Sequence, residues 1–171
     1  MLMSVPALVD VNLRLNGKER SVTLPTDAVL ADVLRDGMGL KGCKVACDAG
    51  VCGACTVLVN GAPVAACSTF AFEADGAEVT TIEGLGTPCS PHLLQQVFLE
   101  CDAFQCGFCT SGMILSVKAL LEAEPEPDDA TIRAWLSGNL CRCTGYQMIV
   151  EAVQAAAAAM REQTAVGERK A

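Results

Sequence analysis

Apolar and polar residues alternate with a period of two at the start of the chain. Val9, Val11, Leu13 and Leu15 lead into Asn16-Gly17-Lys18, and Val22 and Leu24 follow. Such alternation turns one side of each segment toward a core, and Asn-Gly supplies the two positive-φ residues of a tight turn, so the pattern predicts a β-hairpin. Pro25, Thr26 and Asp27 open a short helical pattern carried by Val29, Leu30, Val33 and Leu34, with Gly37 as its stop. A glycine-rich loop then runs through Cys55. Residues 56–59 and 64–66 flank a second Asn-Gly pair, Asn60-Gly61, and residues 79–82 read as a final strand. Hairpin, helix, loop, hairpin and strand add up to a small α+β domain over residues 1–83.

Residues 84–89 (GLGTPC) form the expected linker, and beyond it the period lengthens to that of helices. Ser90-Pro91 has the form of an N-cap followed by an N1 proline, which predicts a helix to about residue 101. A second is predicted from about 111 to 123, stopping before Pro125, and a third from about 128 to 137, closed by Gly138-Asn139. The fourth begins near Tyr146 and carries an alanine-rich run to about 161, a run that reflects helix propensity rather than a site. Four helices predict an all-α second domain over residues 90–161, and residues 162–171 read as a flexible tail. The fold class expected for the whole chain is α+β.

Composition narrows the function. With 51% hydrophobic and 19% charged residues the chain is globular rather than disordered. A net charge of −8 argues against a surface that neutralises nucleic-acid phosphates. Residues 1–10 show no basic region, apolar run or twin-arginine pair of an export signal, and no stretch nears the ~20 apolar residues of a membrane span. A soluble, cytoplasmic protein is expected.

The cysteines carry the chemistry. There are 11, an odd count, and in a reducing compartment clustered cysteines bind metal more often than they form disulfides. Cys47, Cys52, Cys55 and Cys67 follow the plant-type [2Fe–2S] spacing C-x4-C-x2-C…C. Gly50 and Gly53 within that loop give positive φ and close backbone approach, which an anionic cluster needs. A structural zinc site favours short C-x2-C knuckles at both ends, so this set reads as iron–sulfur. The second set, Cys106, Cys109, Cys141 and Cys143, has spacing that leaves zinc and iron–sulfur both open. Each of its pairs falls just before a predicted helix, whose N-terminus would direct positive dipole and free N–H groups at an anionic cofactor.

Cys43, Cys89 and Cys101 fit neither pattern and read as free or buried thiols. His92 is the single histidine, which excludes a Rieske centre, and it reads as a helix-surface residue. Residues 37–42 match Gly-x-Gly-x-x-Gly, but they follow a helix instead of joining a strand to one, so no dinucleotide site is inferred. No nucleophile–base constellation is present, and no catalytic residue is expected on this chain.

Three segments carry a family resemblance: Gly42-Cys-Lys-Val-Ala-Cys47 continuing through Cys52-Gly-Ala-Cys55-Thr-Val57, then Phe104-Gln-Cys106-Gly-Phe-Cys109-Thr-Ser-Gly-Met113, then Gly138-Asn-Leu-Cys141-Arg-Cys143-Thr-Gly-Tyr146. Over about residues 8–155 the chain resembles the iron–sulfur subunit of the molybdenum hydroxylases, the xanthine dehydrogenase family. The resemblance implies a β-grasp, plant-type ferredoxin-like domain and a four-helix domain, each with one [2Fe–2S] cluster. It also implies a large partner subunit with a molybdenum–pterin cofactor and a medium one with FAD, assembled as a dimer of heterotrimers. Electrons would pass from molybdenum through the helical-domain cluster and the plant-type cluster to FAD, with Cys143 and Gln105 beside the pterin. The family often has Thr where Cys43 stands and Pro where Ser111 stands. A free-standing two-cluster ferredoxin and a zinc-stabilised interaction module are the competing readings.

Overall fold

The structure, a computed structural model, describes residues 6–168; residues 1–5, part of the stretch read above for export signals, and 169–171, the end of the expected tail, lie outside the described residues. β1 (Leu8–Leu15) and β2 (Lys18–Pro25) pair antiparallel from Leu15↔Lys18 out to Leu8↔Pro25. The turn has Asn16 at φ 50° and Gly17 at φ 76°, the double positive φ of a type I′ hairpin. β3 (Thr56–Val59) and β4 (Ala62–Ala65) repeat the device around Asn60 and Gly61, at φ 50° and 82°. β5 (Glu78–Thr80) is laid between the hairpins, parallel to β1 and antiparallel to β3, which gives the order β2-β1-β5-β3-β4.

One face of this mixed sheet is covered by α1 (Leu30–Asp32), which continues as a π turn, Val33–Gly37. Helical residues start at Leu30 because Val29 is extended and bridges Phe70. Leu30 and Leu34 pack into one core with Val11, Leu13, Val57 and Val79, and three cysteines of this half, Cys43, Cys55 and Cys67, border it. Each such fully buried aliphatic side chain contributes about 1.5–3 kcal/mol over leaving it in water.

The second half consists of α2 (Leu93–Glu100), α3 (Thr110–Ala123), α4 (Asp129–Leu136) and α5 (Gln147–Glu168) around a second core that includes Phe98, Met113, Leu120, Ile132, Leu136 and Ile149. Two boundaries differ from the sequence reading. Ser90 is not the cap of α2, because its backbone exchanges two 3.0 Å hydrogen bonds with Thr87. His92 takes that place: its Nδ1 accepts the Leu94 N–H at 3.2 Å, and Gln95 Oε1 accepts the His92 N–H at 2.8 Å, a reciprocal capping box. α5 runs to Glu168 rather than ending near 161, so the segment expected to be a tail is helical as far as it is described. Asp128 caps α4 by accepting the Thr131 N–H at 2.7 Å. Among the described residues no helix is long and apolar enough to cross a membrane.

α3 lies directly on the first half. Leu115 and Ala119 pack on Leu58 of β3, and Gly112 faces the first cysteine loop so closely that a Cβ there would sit 2.2 Å from the Gly53 carbonyl oxygen.

Candidate metal centres

Cys47, Cys52 and Cys55 lie on the loop between the π turn and β3. Cys67 lies beyond the second hairpin: β4 stops at Ala65, and Cys67 sits in the 3-10 turn Ala66–Ser68 that follows. The loop is wound by positive φ at Asp48, Gly50 and Gly53 (52°, 69° and 68°), which turns successive N–H groups inward. The Cys52 N–H points at Cys47 Sγ and the Gly50 N–H at Cys67 Sγ, both at 3.4 Å. The amides of Cys52, Val51 and Ala49, in that order, pull the Cys47 thiol down to about 6, so a thiolate is favoured there before any metal arrives. Burial drives Cys55 the other way, to about 12. Cys47 is exposed while Cys55 and Cys67 are buried, so the set runs from the surface into the core.

Both glycines lie tightly against neighbouring segments. A Cβ at Gly50 would come within 2.6 Å of Ser68 Oγ, and one at Gly53 within 2.5 Å of both the Gly138 carbonyl and the Asn139 amide. Gly53 is therefore a point of contact between the halves.

In the second set Cys106 and Cys143 bring their sulfurs to 3.6 Å, and Cys109 and Cys141 interact side chain to side chain. Cys109 is the N-cap of α3, a 14-residue helix whose positive end it therefore occupies. Cys141 is held by Tyr146, whose hydroxyl accepts the Cys141 N–H at 2.7 Å and donates to the Asn139 carbonyl at 3.2 Å. Tyr146, at φ 70°, directly precedes α5, and its carbonyl accepts the Val150 N–H at 3.0 Å, so the helix begins where expected. Burial opposes the Cys141 thiolate, but the Thr144 hydroxyl, 3.1 Å from its sulfur, and the amides of Cys143 and Thr144 outweigh it and hold the thiol below its usual value. Burial pushes Cys109 up to about 12.

The thiols of the second set stand at the spacing of thiolates on a shared metal. Two thiolates on one tetrahedral metal with bonds of about 2.3 Å lie about 3.8 Å apart, close to the Cys106–Cys143 spacing. Thiols arranged as two pairs match a dinuclear cluster with a pair on each iron. Among the described residues Thr110 Oγ1, beside Cys109, is the buried side-chain polar atom left without a hydrogen-bond partner, and an anionic centre would give it an acceptor.

The two sets meet. A cleft of about 490 Å³ is lined by Cys52 of the first set and by Cys106, Cys109, Cys141 and Cys143 of the second. At its edge the Leu140 N–H donates to the Cys52 carbonyl at 2.8 Å. Beside it the buried Asn139 amide donates to the Gly53 carbonyl at 3.0 Å and to Thr56 Oγ1 at 3.3 Å. Asn139 had been read as a helix stop; its role as a bridge has no local signal, because its partners are more than 80 residues away. Gln105 lies exposed in the loop before Cys106. Of the remaining cysteines, Cys89 is exposed and Cys101 half-buried at the end of α2, whereas Cys43 is buried with its thiol 3.5 Å from the Cys55 carbonyl. Burial pushes that thiol up to about 11.

Two family models match the chain: a 2Fe-2S iron-sulfur cluster binding domain over residues 13–89 and a [2Fe-2S] binding domain over residues 81–154. Fold, thiol sets and these matches define a protein with two [2Fe–2S] clusters, one in each half. The chain is 49% identical over 146 residues to the nicotinate dehydrogenase small FeS subunit of Eubacterium barkeri, covering 85% of this chain and 93% of that one. It is 43% identical over 167 residues to the aldehyde oxidoreductase iron-sulfur-binding subunit PaoA of Escherichia coli (strain K12), covering 89% and 73%. Among solved structures, quinoline 2-oxidoreductase from Pseudomonas putida 86 superposes with a TM-score of 0.86 at 42% identity, over 91% of this chain and 97% of that chain. Aldehyde oxidoreductase from Desulfovibrio gigas gives 0.87 at 42%, over 91% of this chain but 17% of a much longer one. The chain belongs to the iron–sulfur subunits of the molybdenum hydroxylase, or xanthine dehydrogenase, family of oxidoreductases.

Proposed function

We propose that this chain relays single electrons between a molybdenum–pterin subunit and an FAD subunit of a cytoplasmic molybdenum hydroxylase, a dimer of heterotrimers that hydroxylates its substrate with oxygen from water. Cys47, Cys52, Cys55 and Cys67 bind one cluster within a ferredoxin-like β-grasp domain, residues 1–83. Cys106, Cys109, Cys141 and Cys143 bind the other within a four-helix domain, residues 90–161. The clusters, when bound, supply one-electron redox chemistry.

The observation that carries this reading is the hydrogen bond from Leu140 N–H to the Cys52 carbonyl. Leu140 precedes Cys141, so one ligand of each cluster is joined to the other through a peptide and a single hydrogen bond. The protein's remaining task is to keep that junction dry and still, and the Asn139 bridge supports it from beneath. Cys143 and Cys106 are exposed, with Phe108 and Leu140 beside them 46% and 51% exposed, an apolar rim suited to the molybdenum subunit with Gln105 and Cys143 facing the pterin. Val51, 65% exposed next to Cys52, marks the face for the FAD subunit. Comparable identity to subunits named for nicotinate and for aldehydes accords with a chain that does not itself select the substrate.

The test is Cys143→Ser in the purified complex. Reduction by substrate slows more than reduction from the flavin side; equal slowing of both would remove the proposed order of centres. Gel filtration of the native protein addresses the free-standing ferredoxin: a small monomer as the dominant species would contradict the relay.

A further inference from the structure

The Leu140–Cys52 and Asn139–Gly53 contacts join the halves through adjacent residues, on one flank of the first cysteine loop. A second connection runs through the Gly42–Cys43 peptide. Ser111, in the first turn of α3 and two residues after Cys109, donates its hydroxyl to the Gly42 carbonyl at 2.6 Å. The chain passes from Gly42 into Cys43, which is 3% exposed and whose thiol donates to the Cys55 carbonyl at 3.5 Å. Two hydrogen bonds in series thus connect Cys109 of one ligand set to Cys55 of the other, by a route that shares no residue with the Leu140–Cys52 junction.

The middle of this route is anchored. The Gly42 N–H donates to Glu83 Oε1 at 2.8 Å, and the other oxygen of Glu83 accepts the hydroxyl of Thr81, which is fully buried. A Cβ on Gly42 would lie 2.2 Å from Ile82 Cγ2, so the peptide can be placed this close only as glycine. The Arg35 guanidinium holds the Cys43 carbonyl from the other side. Three successive peptide groups around Gly42 and Cys43 are thus each held once, so the segment transmits position instead of absorbing it.

We propose that Ser111 and Cys43 are positioning residues, which form a second hydrogen-bonded strut between the two cluster sites and fix the orientation of the first cluster relative to the second. The assignment rests on the ligand sets proposed above. Neither residue touches iron; each acts through a carbonyl.

The experiment uses the iron-loaded protein, purified with its subunits and fully reduced, so that both clusters are paramagnetic. The splitting of their electron paramagnetic signals reads distance and orientation together, and hydrogen–deuterium exchange reads opening of the 42–47 segment. Ser111→Ala and Cys43→Ala each speed exchange about fivefold, as expected for loss of one net hydrogen bond. Each alters the inter-cluster splitting, and the double variant alters it no more than the stronger single one, because the links lie in series. Ser111→Thr and Cys43→Ser keep a donor and retain the parent splitting. Faster exchange with unchanged splitting would reduce both residues to local stabilisers and overturn the strut. Additive changes in the double variant would overturn it too, and so would an altered splitting in the two conservative variants. Parent protein with fewer than about four irons and a single signal would instead overturn the ligand assignment beneath it.

Discussion

Replacing Gly112 by alanine sets two effects of opposite sign against each other. In an exposed helix interior the change would stabilise by up to about 1 kcal/mol, because alanine loses less backbone freedom. Here the new Cβ would lie 2.2 Å from the Gly53 carbonyl oxygen and 3.1 Å from that of Ala54. Both are main-chain atoms that no rotamer change can move. To restore an ordinary contact α3 must retreat by about 1 Å, and overpacking of this kind costs about 1–3 kcal/mol. Retreat also loosens Leu115 and Ala119 from Leu58. The steric effect wins, leaving a net loss of about 1–2 kcal/mol. At about 2–4 °C per kcal/mol for a chain of this size, Tm of the holoprotein falls by roughly 2–8 °C. Thermal unfolding followed by circular dichroism measures it. A variant as stable as the parent, or more so, would show that α3 does not seat on the first cysteine loop.

Other perturbations separate the two centres. Cys52→Ser should abolish one electron paramagnetic signal and leave the other, whereas loss of both would contradict two sites that load independently. Tyr146→Phe deprives the Cys141 amide and the Asn139 carbonyl of their partner, a cost of about 1–3 kcal/mol, and should broaden the second-set signal alone; equal broadening of both signals would count against it. Burial, then the positive charge of Lys118, hold His92 below its ordinary value of 6.5, against a smaller upward pull from Glu122. The unfolded chain therefore takes up that proton first, so the His92 contribution is complete above about pH 6.5 and is lost as pH falls through the lower folded value. Protonation also removes the Nδ1 acceptor that caps α2. His92→Asn keeps a capping oxygen without titrating and should lessen the fall in Tm between about pH 7 and pH 5; an unchanged slope would exclude His92 as its source.

What could be read from the sequence is what local chemistry decides. Both Asn-Gly turns stand where expected because positive φ is a property of those two residues alone. Local spacing places Cys47, Cys52 and Cys55 on one loop and the second four in two short pairs, whereas the approach of Cys106 to Cys143 and of Cys109 to Cys141 crosses between those pairs. The strand at 78–80 was legible, but its place between the two hairpins was not, because pairing partners 60 or so residues away leave no mark on local periodicity. The start of α2 was misplaced for a different reason: Ser90 and His92 can both cap, and the backbone pairing of Ser90 with Thr87 decides between them. At Gly53 the contact with Gly138 and Asn139 leaves no mark in the sequence, because those residues lie about 85 positions away. Asn139 and Ser111 are legible only as helix punctuation or family pattern, since each works across the junction between halves.

The bridge from Asn139 to Gly53 spans 86 residues and so sets an order of events during synthesis. The first cysteine loop, with Cys67, leaves the ribosome long before residues 138–146 exist. Until then the Cys52 carbonyl lacks Leu140 and the Gly53 carbonyl lacks the Asn139 amide. Completion of residues 138–146 supplies both partners and covers that flank of the loop. Any chain that ends before residue 138 keeps the first cysteine loop uncovered on that side.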